Sequence, residues 1–430
     1  MMPNRRNPLY LLIIALLIAG LLTGLALLFN IAYLLAGIWL LSLLWSLLSA
    51  RGLGLRRMTR TRRAQVGHVF GETFMVRNAG IWPKIGIEIR DESNLPQHAK
   101  SHVASLGILG KDTWQVNTAC TMRGEFRLGP ITVISSDPFG LFRAERHIDA
   151  TQRVLVYPAV RPIDKVRLPL GLLSGGQAQR YQTQNITTNA AGVRDYAPGD
   201  SINRVHWKSS ARRDKLIVKE FELDPLVDIW LFLDLSAQSL QDAPSLQRRI
   251  DDTASDAALN GAGSYGPIIP TGQHIPPSTE EYGIVAAASL ANHFIQTDRT
   301  LGFISYTPHS TVIQPDRGHR QLSRILEALA IARSTSQHGL REALALEAHR
   351  FMRGTTLIIV TASLDKNWVA EAQLLGHRGI RPLCIYIDPA TFNKQISSKE
   401  MRSLLQISKI PTLIVRNGAD IGHALAAYPV

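Results

Sequence analysis

From Leu9 to Ser49 the chain carries no charged residue and few polar ones. A run of that length must be covered by protein or lipid, and it suits two membrane spans of about 20 residues each. Phe29-Asn30 is the polar notch near its middle, so a tight transmembrane helical hairpin is expected, with the break there. A cleaved signal peptide fits poorly, because the run far exceeds an h-region and continues into a second span. Arg5 and Arg6 precede it, and Arg51, Arg56, Arg57, Arg60, Arg62 and Arg63 follow. With both flanks basic, the positive-inside rule places both ends, and everything after Arg51, in the cytoplasm. The expectation is a two-pass protein of the inner (cytoplasmic) membrane with the bulk of the chain in the cytoplasm. The arginines could also hold anionic headgroups, but a topology role is the simpler account.

The chain has 430 residues, enough for two or three domains. Lys plus Arg number 47 against 34 acids, a formal charge of +13. Such an excess favours an anionic partner or a membrane orientation, and here much of it flanks the apolar run. The two cysteines, Cys120 and Cys384, draw neither a disulfide framework nor a zinc spacing, which fits a reducing compartment. Both read as small buried residues rather than nucleophiles.

Residues 1–63 form the expected hairpin with its basic flanks, and residues 64–165 a β-rich domain. Phe70–Asn78, Lys84–Asp91, Trp114–Thr121, Gly124–Leu128, Ile131–Ser135 and Val154–Tyr157 read as strands between Gly, Pro and Asn turns. Turn signals at this spacing predict a small antiparallel sandwich, immunoglobulin-like in kind. In Asp137-Pro138-Phe139-Gly140-Leu141-Phe142, Asp137 reads as a turn residue capping its own backbone, not a catalytic acid. Residues 166–225 comprise a weakly patterned linker and a dense polar stretch, Gly192–Glu222.

Residues 226–430 alternate apolar strands with helices. Val227–Asp234, Thr300–Tyr306, Thr355–Val360, Pro382–Ile387 and Thr412–Val415 are the strands, and Tyr282–Phe294, Gln321–Ala332, Leu340–Phe351, Trp368–Leu375 and Ser398–Leu405 the helices. The pattern predicts a largely parallel, Rossmann-like sheet covered on both faces, with its working crevice at the strands' carboxyl ends. The Gly/Pro/Ser/Thr-rich segment 260–283 reads as a surface insert, and no Gly-x-x-x-x-Gly-Lys pattern opens a helix.

Gly192-Val193-Arg194-Asp195-Tyr196, Pro198-Gly199-Asp200 and Asn203-Arg204-Val205-His206-Trp207-Lys208-Ser209-Ser210-Ala211-Arg212, followed by Leu216 and Lys219-Glu220-Phe221-Glu222, resemble the signature of the domain-of-unknown-function 58 family (DUF 58). The hairpin, the peptide Arg123–Pro130, the peptide Asp137–Phe142 and the α/β domain follow in the order that family shows. The resemblance implies a membrane-anchored protein with a von Willebrand factor A-like C-terminal domain. It also implies a MoxR-type AAA+ ATPase as protein partner, with a role in assembling or maturing other complexes.

The resemblance further implies a place for a metal-ion-dependent adhesion site, whose hard oxygen ligands suit Mg²⁺. Its first loop falls at Asp234-Leu235-Ser236-Ala237-Gln238, with Ser239 next in line. The Thr position falls at His338 and the second Asp position at Ala362, with Thr335 and Asp365 nearby. The site is therefore degenerate, and Asp234 and Ser236 read as a strand-end turn and helix cap.

Three readings of Arg194–Glu222 remain open. In the first, Asp195, Asp200, Arg204 and Arg212 pair locally while Trp207 packs against the sheet as a domain clamp. In the second, the surplus cations, including Lys208 and Lys219, form a docking face for an acidic protein partner. In the third, His206, Lys208 and Arg212 hold a phosphate, a lipid headgroup or nucleic acid with Trp207 stacking, although no nucleic-acid fold is recognisable. A hydrolase or other catalyst would have to centre on His206 with Asp195 or Asp200, since no metalloprotease helix, nucleophile elbow or Cys-His signature occurs. The reading adopted is a non-enzymatic membrane-tethered scaffold or adaptor without a cofactor.

Overall fold

The structure is a computed structural model in which residues 6–49, 51–164, 166, 190–197, 205–221, 228–242, 275–307 and 310–429 are described. The chain divides into two compact units, one containing residues 1–159 and the other residues 160–243, 277–325 and 333–430.

The first unit begins with two apolar helices, α1 (Arg6–Thr23) and α2 (Ala26–Ser49). The break between them falls at Gly24, not at Phe29-Asn30. Gly24 adopts φ 70° and its N–H closes the last turn of α1 on the Gly20 carbonyl at 2.8 Å, a conformation glycine takes without a Cβ penalty. Asn30 lies inside α2, where its backbone stays in the helical ladder. At Gly20 a Cβ would stand 3.1 Å from the Phe29 ring, so the missing side chain lets the helices approach. The 24 residues of α2 are long and apolar enough to cross a membrane.

Ten strands follow: β1 (Leu53–Thr59), β2 (Arg63–Gln65), β3 (Val69–Asn78), β4 (Lys84–Asp91), β5 (Ser101–Leu106), β6 (Lys111–Ala119), β7 (Gly124–Leu128), β8 (Ile131–Ser136), β9 (Arg143–Ile148) and β10 (Gln152–Tyr157). They pair in the orders β1-β3-β6, β5-β4-β8-β9 and β2-β10-β7. Phe74, Val76, Val116, Ile87, Ile89, Ile131 and Val133 fill the space between the first two sheets, the packing of a sandwich. Phe70, Leu128, Val154 and Val156 make a second, smaller core. The arginine run after the apolar segment, read as a topology flank, supplies β1. Leu53 and Arg57 point inward, and Arg57 is buried against Glu72 at 3.3 Å and against Asp91. Asp137 caps its own turn, as the sequence suggests. Its Oδ2 accepts from the Phe139 N–H (3.0 Å) and its Oδ1 from the Phe142 N–H (2.6 Å).

The second unit is built on β13 (Ile229–Leu233), β14 (Leu301–Tyr306), β15 (Ser310–Asp316), β16 (Thr356–Thr361), β17 (Arg381–Ile387) and β18 (Thr412–Val415), ordered β15-β14-β13-β16-β17-β18. All pairings are parallel except β14–β15. The antiparallel edge strand escapes the sequence pattern because Pro315 argues against a strand interior, and an edge is where a sheet tolerates proline. The run Ile229–Leu233 is buried throughout, as a strand covered on both faces requires. Helix α4 (Thr279–Gln296) starts inside the segment 260–283 read as an insert. Ser278 accepts from the Glu280 N–H, and Glu280 and Glu281 in the first turn suit the helix dipole. Residues 260–274 of that segment lie outside the described residues. Cys120 and Cys384 are free and buried.

Candidate functional site

Two clusters in the second unit hold the residues singled out by sequence. The first is the family stretch. Strand β11 (Ala190–Asp195) pairs antiparallel with β12 (Ile217–Phe221), and helix α3 (Trp207–Arg213) lies between them in sequence. His206 is the N-cap of α3. Its Nδ1 lies 2.7 Å from the Ser209 Oγ and accepts from the Ser209 N–H. Asp214 closes the helix with φ 50°. Ser210 is the inward residue of the helix: its buried hydroxyl donates to the His206 carbonyl and accepts from the Ile217 N–H at 2.9 Å. The sequence reading named Ser210 within the family signature but gave it no role, since a serine pair in a polar helix carries no period.

This arrangement corrects the clamp reading at Trp207. Trp207 is 65% exposed and does not pack on the sheet, because it opens the helix on its outer face while Ser210 makes the inward contact. Asp195 accepts from Lys215 Nζ at 2.7 Å, an exposed pair, while Arg212 stays exposed. His206 therefore turns to Ser209 and Asp195 to Lys215, and they are not brought together as a base and its orienter. Lys208 and Arg213 are exposed on the same helix. Arg194 and Lys219 are placed on the two paired strands, opposite Val218 and Val193, and Tyr196 follows β11 with its N–H on the Leu216 carbonyl. Pro198, Gly199, Asp200 and Arg204 lie outside the described residues.

The second cluster stands at the carboxyl end of β13, beside β16. The order in which the chain adds strands reverses here, between β13 and β16, where open α/β sheets form their crevice. Asp234 Oδ1 accepts from the Ser236 N–H (3.0 Å), and Oδ2 from the hydroxyls of Ser239 (2.8 Å) and Thr361 (2.6 Å). Ser236 and Ser239 share a hydroxyl contact of 2.7 Å, and Thr279 Oγ1 donates to the Ser239 carbonyl. Asp234, Ser239, Thr279, Glu280, Ser334 and Thr361 line a cavity of about 10 Å³, room for roughly one water molecule. Thr361, the last residue of β16, and not His338 or Ala362, reaches Asp234. The sequence reading ended that strand at Val360 and left Thr361 without a role.

A magnesium ion needs several hard oxygens free to face it. Here both oxygens of Asp234 are committed to neighbouring donors. His338 is exposed near Glu342, Asp365 accepts from the N–H of Asn367, and Thr335 is exposed. Among the described residues no group of three or more His, Cys, Asp or Glu is placed to hold a metal. They bring one carboxylate, Asp234, to this place, with two hydroxyls and a backbone N–H as its donors. Their chemistry is that of a half-buried carboxylate solvated by hydroxyls.

Residues 192–259 match the protein family described as "Protein of unknown function DUF58". The chain is 28% identical over 153 residues to the uncharacterized protein YeaD of Bacillus subtilis (strain 168), covering 35% of this chain and 38% of that relative's length. Among solved structures, the CARDB domain of the PF1109 protein from Pyrococcus furiosus is 18% identical, with a TM-score of 0.19. It covers 24% of this chain and 91% of that one. Proximal thread matrix protein 1 from the mussel byssus is 12% identical, covers 46% of each chain and has a TM-score of 0.29. The similarity to the DUF58 family thus rests on the stretch that carries Trp207, His206 and the cations of α3.

Proposed function

We propose that the chain is a two-pass, membrane-tethered adaptor whose α/β unit faces the cytoplasm and engages an acidic protein partner through α3. The observation that carries this reading is the exposure of Trp207 on a short helix that also exposes Lys208, Arg212 and Arg213. An exposed tryptophan on a cation-bearing helix suits a binding anchor, since interface energy concentrates in such residues. The cations would set encounter rate and register more than affinity. A MoxR-type AAA+ ATPase is the partner the family resemblance implies, and the α/β unit is read as von Willebrand factor A-like from its strand order and strand-end serine loop. Partner recognition in this reading needs no metal, because the hydroxyls already satisfy Asp234. A catalyst centred on His206 and Asp195 draws no support from the geometry, since each is engaged elsewhere.

The test is binding of the full-length protein, in nanodiscs, to a purified MoxR-type ATPase from the same genome. Trp207→Ala is expected to weaken binding at least tenfold, about 1.4 kcal/mol. Lys208→Glu with Arg212→Glu should slow association and flatten its salt dependence. Unchanged affinity in both variants would remove α3 as the docking face. Retention on single-stranded nucleic acid, lost in the same variants, would favour the stacking reading instead.

A further inference from the structure

The first unit carries an apolar tip that neither the adaptor reading nor the family stretch uses. Strand directions place the turns 79–83, 107–110 and 137–142 at one end of the sandwich, because β3, β5 and β8 end there and β4, β6 and β9 start there. The C-terminus of α2 is held at that same end. Lys84, at the start of β4, donates its ammonium to the carbonyls of Leu48 (3.1 Å), Ser49 (2.8 Å) and Arg51 (2.6 Å). It thereby occupies carbonyls that a helix end leaves without partners. Trp45 meets Trp82 edge-on at 5.4 Å, fixing the 79–83 turn to the last turns of α2.

The turn 137–142 reaches further along the helix. Phe142 packs edge-on against Trp39 at 5.6 Å. Trp39 lies about 15 Å before Ser49 along the axis, at about 1.5 Å per residue. Ser42, Ser46 and Ser49 form the buried stripe of α2, small residues that allow close approach, while Leu40, Leu41, Leu44 and Leu47 remain exposed on its other faces. A helix that spans a hydrocarbon core of about 30 Å with those leucines facing lipid therefore carries the 137–142 turn below the membrane surface.

The tip is made for that environment. Ile81 is 81% exposed and Phe139 54%, and Ile85, Ile108 and Leu109 are exposed beside them. At the opposite end, the 92–100 turn exposes Glu92, Asn94, Gln97 and Lys100. Four N–H groups of the 137–142 turn are satisfied from within: those of Phe139 and Phe142 donate to the Asp137 carboxylate, that of Gly140 to the Asp137 carbonyl and that of Asp137 to the Phe142 carbonyl. Hydrocarbon demands that internal satisfaction. Arg51, Arg77 and Lys111 are exposed around the tip, at the level where anionic headgroups would lie.

We infer that this tip is a lipid-inserting surface: Phe139 enters the acyl region of one leaflet, and Ile81, Ile108 and Leu109 seat among its headgroups. The sandwich is then fixed to the bilayer rather than hung from it on a free tether. This rests on the reading of α2 as a membrane span, so the experiment reports on both. The full-length protein is placed in vesicles of phosphatidylcholine and phosphatidylglycerol with a polarity-sensitive fluorophore on one introduced cysteine. Phe139→Cys probes the tip, Leu34→Cys the helix and Lys100→Cys the far turn. The native thiols label slowly because both are buried, Cys120 being pushed up to about 11.

The expected result is quenching of the probe at position 139 by spin-labelled lipid several-fold more than by iodide, as at position 34, with the reverse at position 100. Iodide access at 139 with lipid quenching at 34 overturns the inserted tip and leaves the membrane span standing. Iodide access at 34 removes the span and the tip together. Protection of 139 from both quenchers means a protein cover, such as a second copy, and also overturns the proposal. Ile108→Cys repeats the measurement from another turn if the Phe139 variant fails to fold.

Discussion

Two enclosed carboxylates, one in each unit, are stabilised by opposite means. Asp91 in the sandwich is met by a fixed cation and polar groups: Arg57 reaches its Oδ2, His98 Nε2 lies 2.9 Å from the same oxygen, and Ser93 donates to Oδ1 at 2.6 Å. Asp234 in the α/β unit has only dipoles, the hydroxyls of Ser239 and Thr361 and one backbone N–H. A buried charge must be paired or hydrogen-bonded, and either solution serves. They differ in what they permit afterwards. The ion pair ties β1, β4 and the 92–100 turn into one arrangement, and removing Arg57 or Asp91 strands the other. The hydroxyl cluster can be rearranged by rotating side chains, so it costs less to disturb. Charge pairing fixes the sandwich, whereas the strand-end carboxylate is held by hydroxyls and one backbone N–H where the family resemblance implies a degenerate metal site.

The largest expected effect follows from breaking the ionic half. Asp91→Asn leaves Arg57 facing only Glu72 and should cost about 3–5 kcal/mol, read by denaturant unfolding of the full chain in detergent. Burial pushes Asp91 up, but the bonds from His98 and Ser93 and the charge of Arg57 outweigh it and hold the carboxyl at about 2, below its ordinary 3.8. The folded value is depressed, so its stabilisation is complete above the ordinary value. It is lost as pH falls from 3.8 toward about 2. Acid titration of unfolding should show that loss in the wild type and not in Asp91→Asn. A variant that keeps the same acid limb would show that other carboxylates carry it.

Arg57 also shows where sequence reading stops. In Arg56-Arg57 beside an apolar run, nothing distinguishes a topology-setting cation from one that pairs with Asp91, because the partners lie in other strands. The alternation Leu53, Leu55, Arg57 was present but reads as a strand only if an inward arginine is admitted. The apolar strands of the α/β unit were legible because continuous burial leaves a continuous apolar run. In the family stretch, residue identity was legible but orientation was not. A tryptophan reads as core until Ser210 is seen to take the inward place. Thr361 joined Asp234 through the pairing of β13 with β16, a register that no local pattern reports.

Disturbing the hydroxyl half should cost less. Asp234→Asn replaces an acceptor oxygen with a donor facing Ser239 and Thr361, and should cost about 1–3 kcal/mol. Thr361→Val removes one bond and should cost about 1 kcal/mol. If either matches Asp91→Asn, the cluster is as rigid as the ionic one and the contrast between the units fails.

The smallest effect tests the contrast inside the ionic cluster itself. Glu72 faces the same Arg57 as Asp91, yet burial raises its carboxyl above the ordinary 4.5 against the lowering influence of His98 and Arg57. Arg57 Nε is 3.3 Å away but not aligned for a hydrogen bond, and both Glu72 oxygens lack a hydrogen-bond partner. With the folded value raised, folding favours the protonated acid. That contribution is full below 4.5 and is lost as pH rises through the folded value. Glu72→Gln keeps the shape of the neutral acid and cannot ionise. The variant should therefore gain on the wild type as pH rises, ending within about 1 kcal/mol of it at neutral pH. The opposite sign from Asp91→Asn, around one guanidinium, would show that hydrogen bonding rather than proximity to Arg57 separates the two carboxylates. A loss as large as that of Asp91→Asn would instead make all four groups a single ion network.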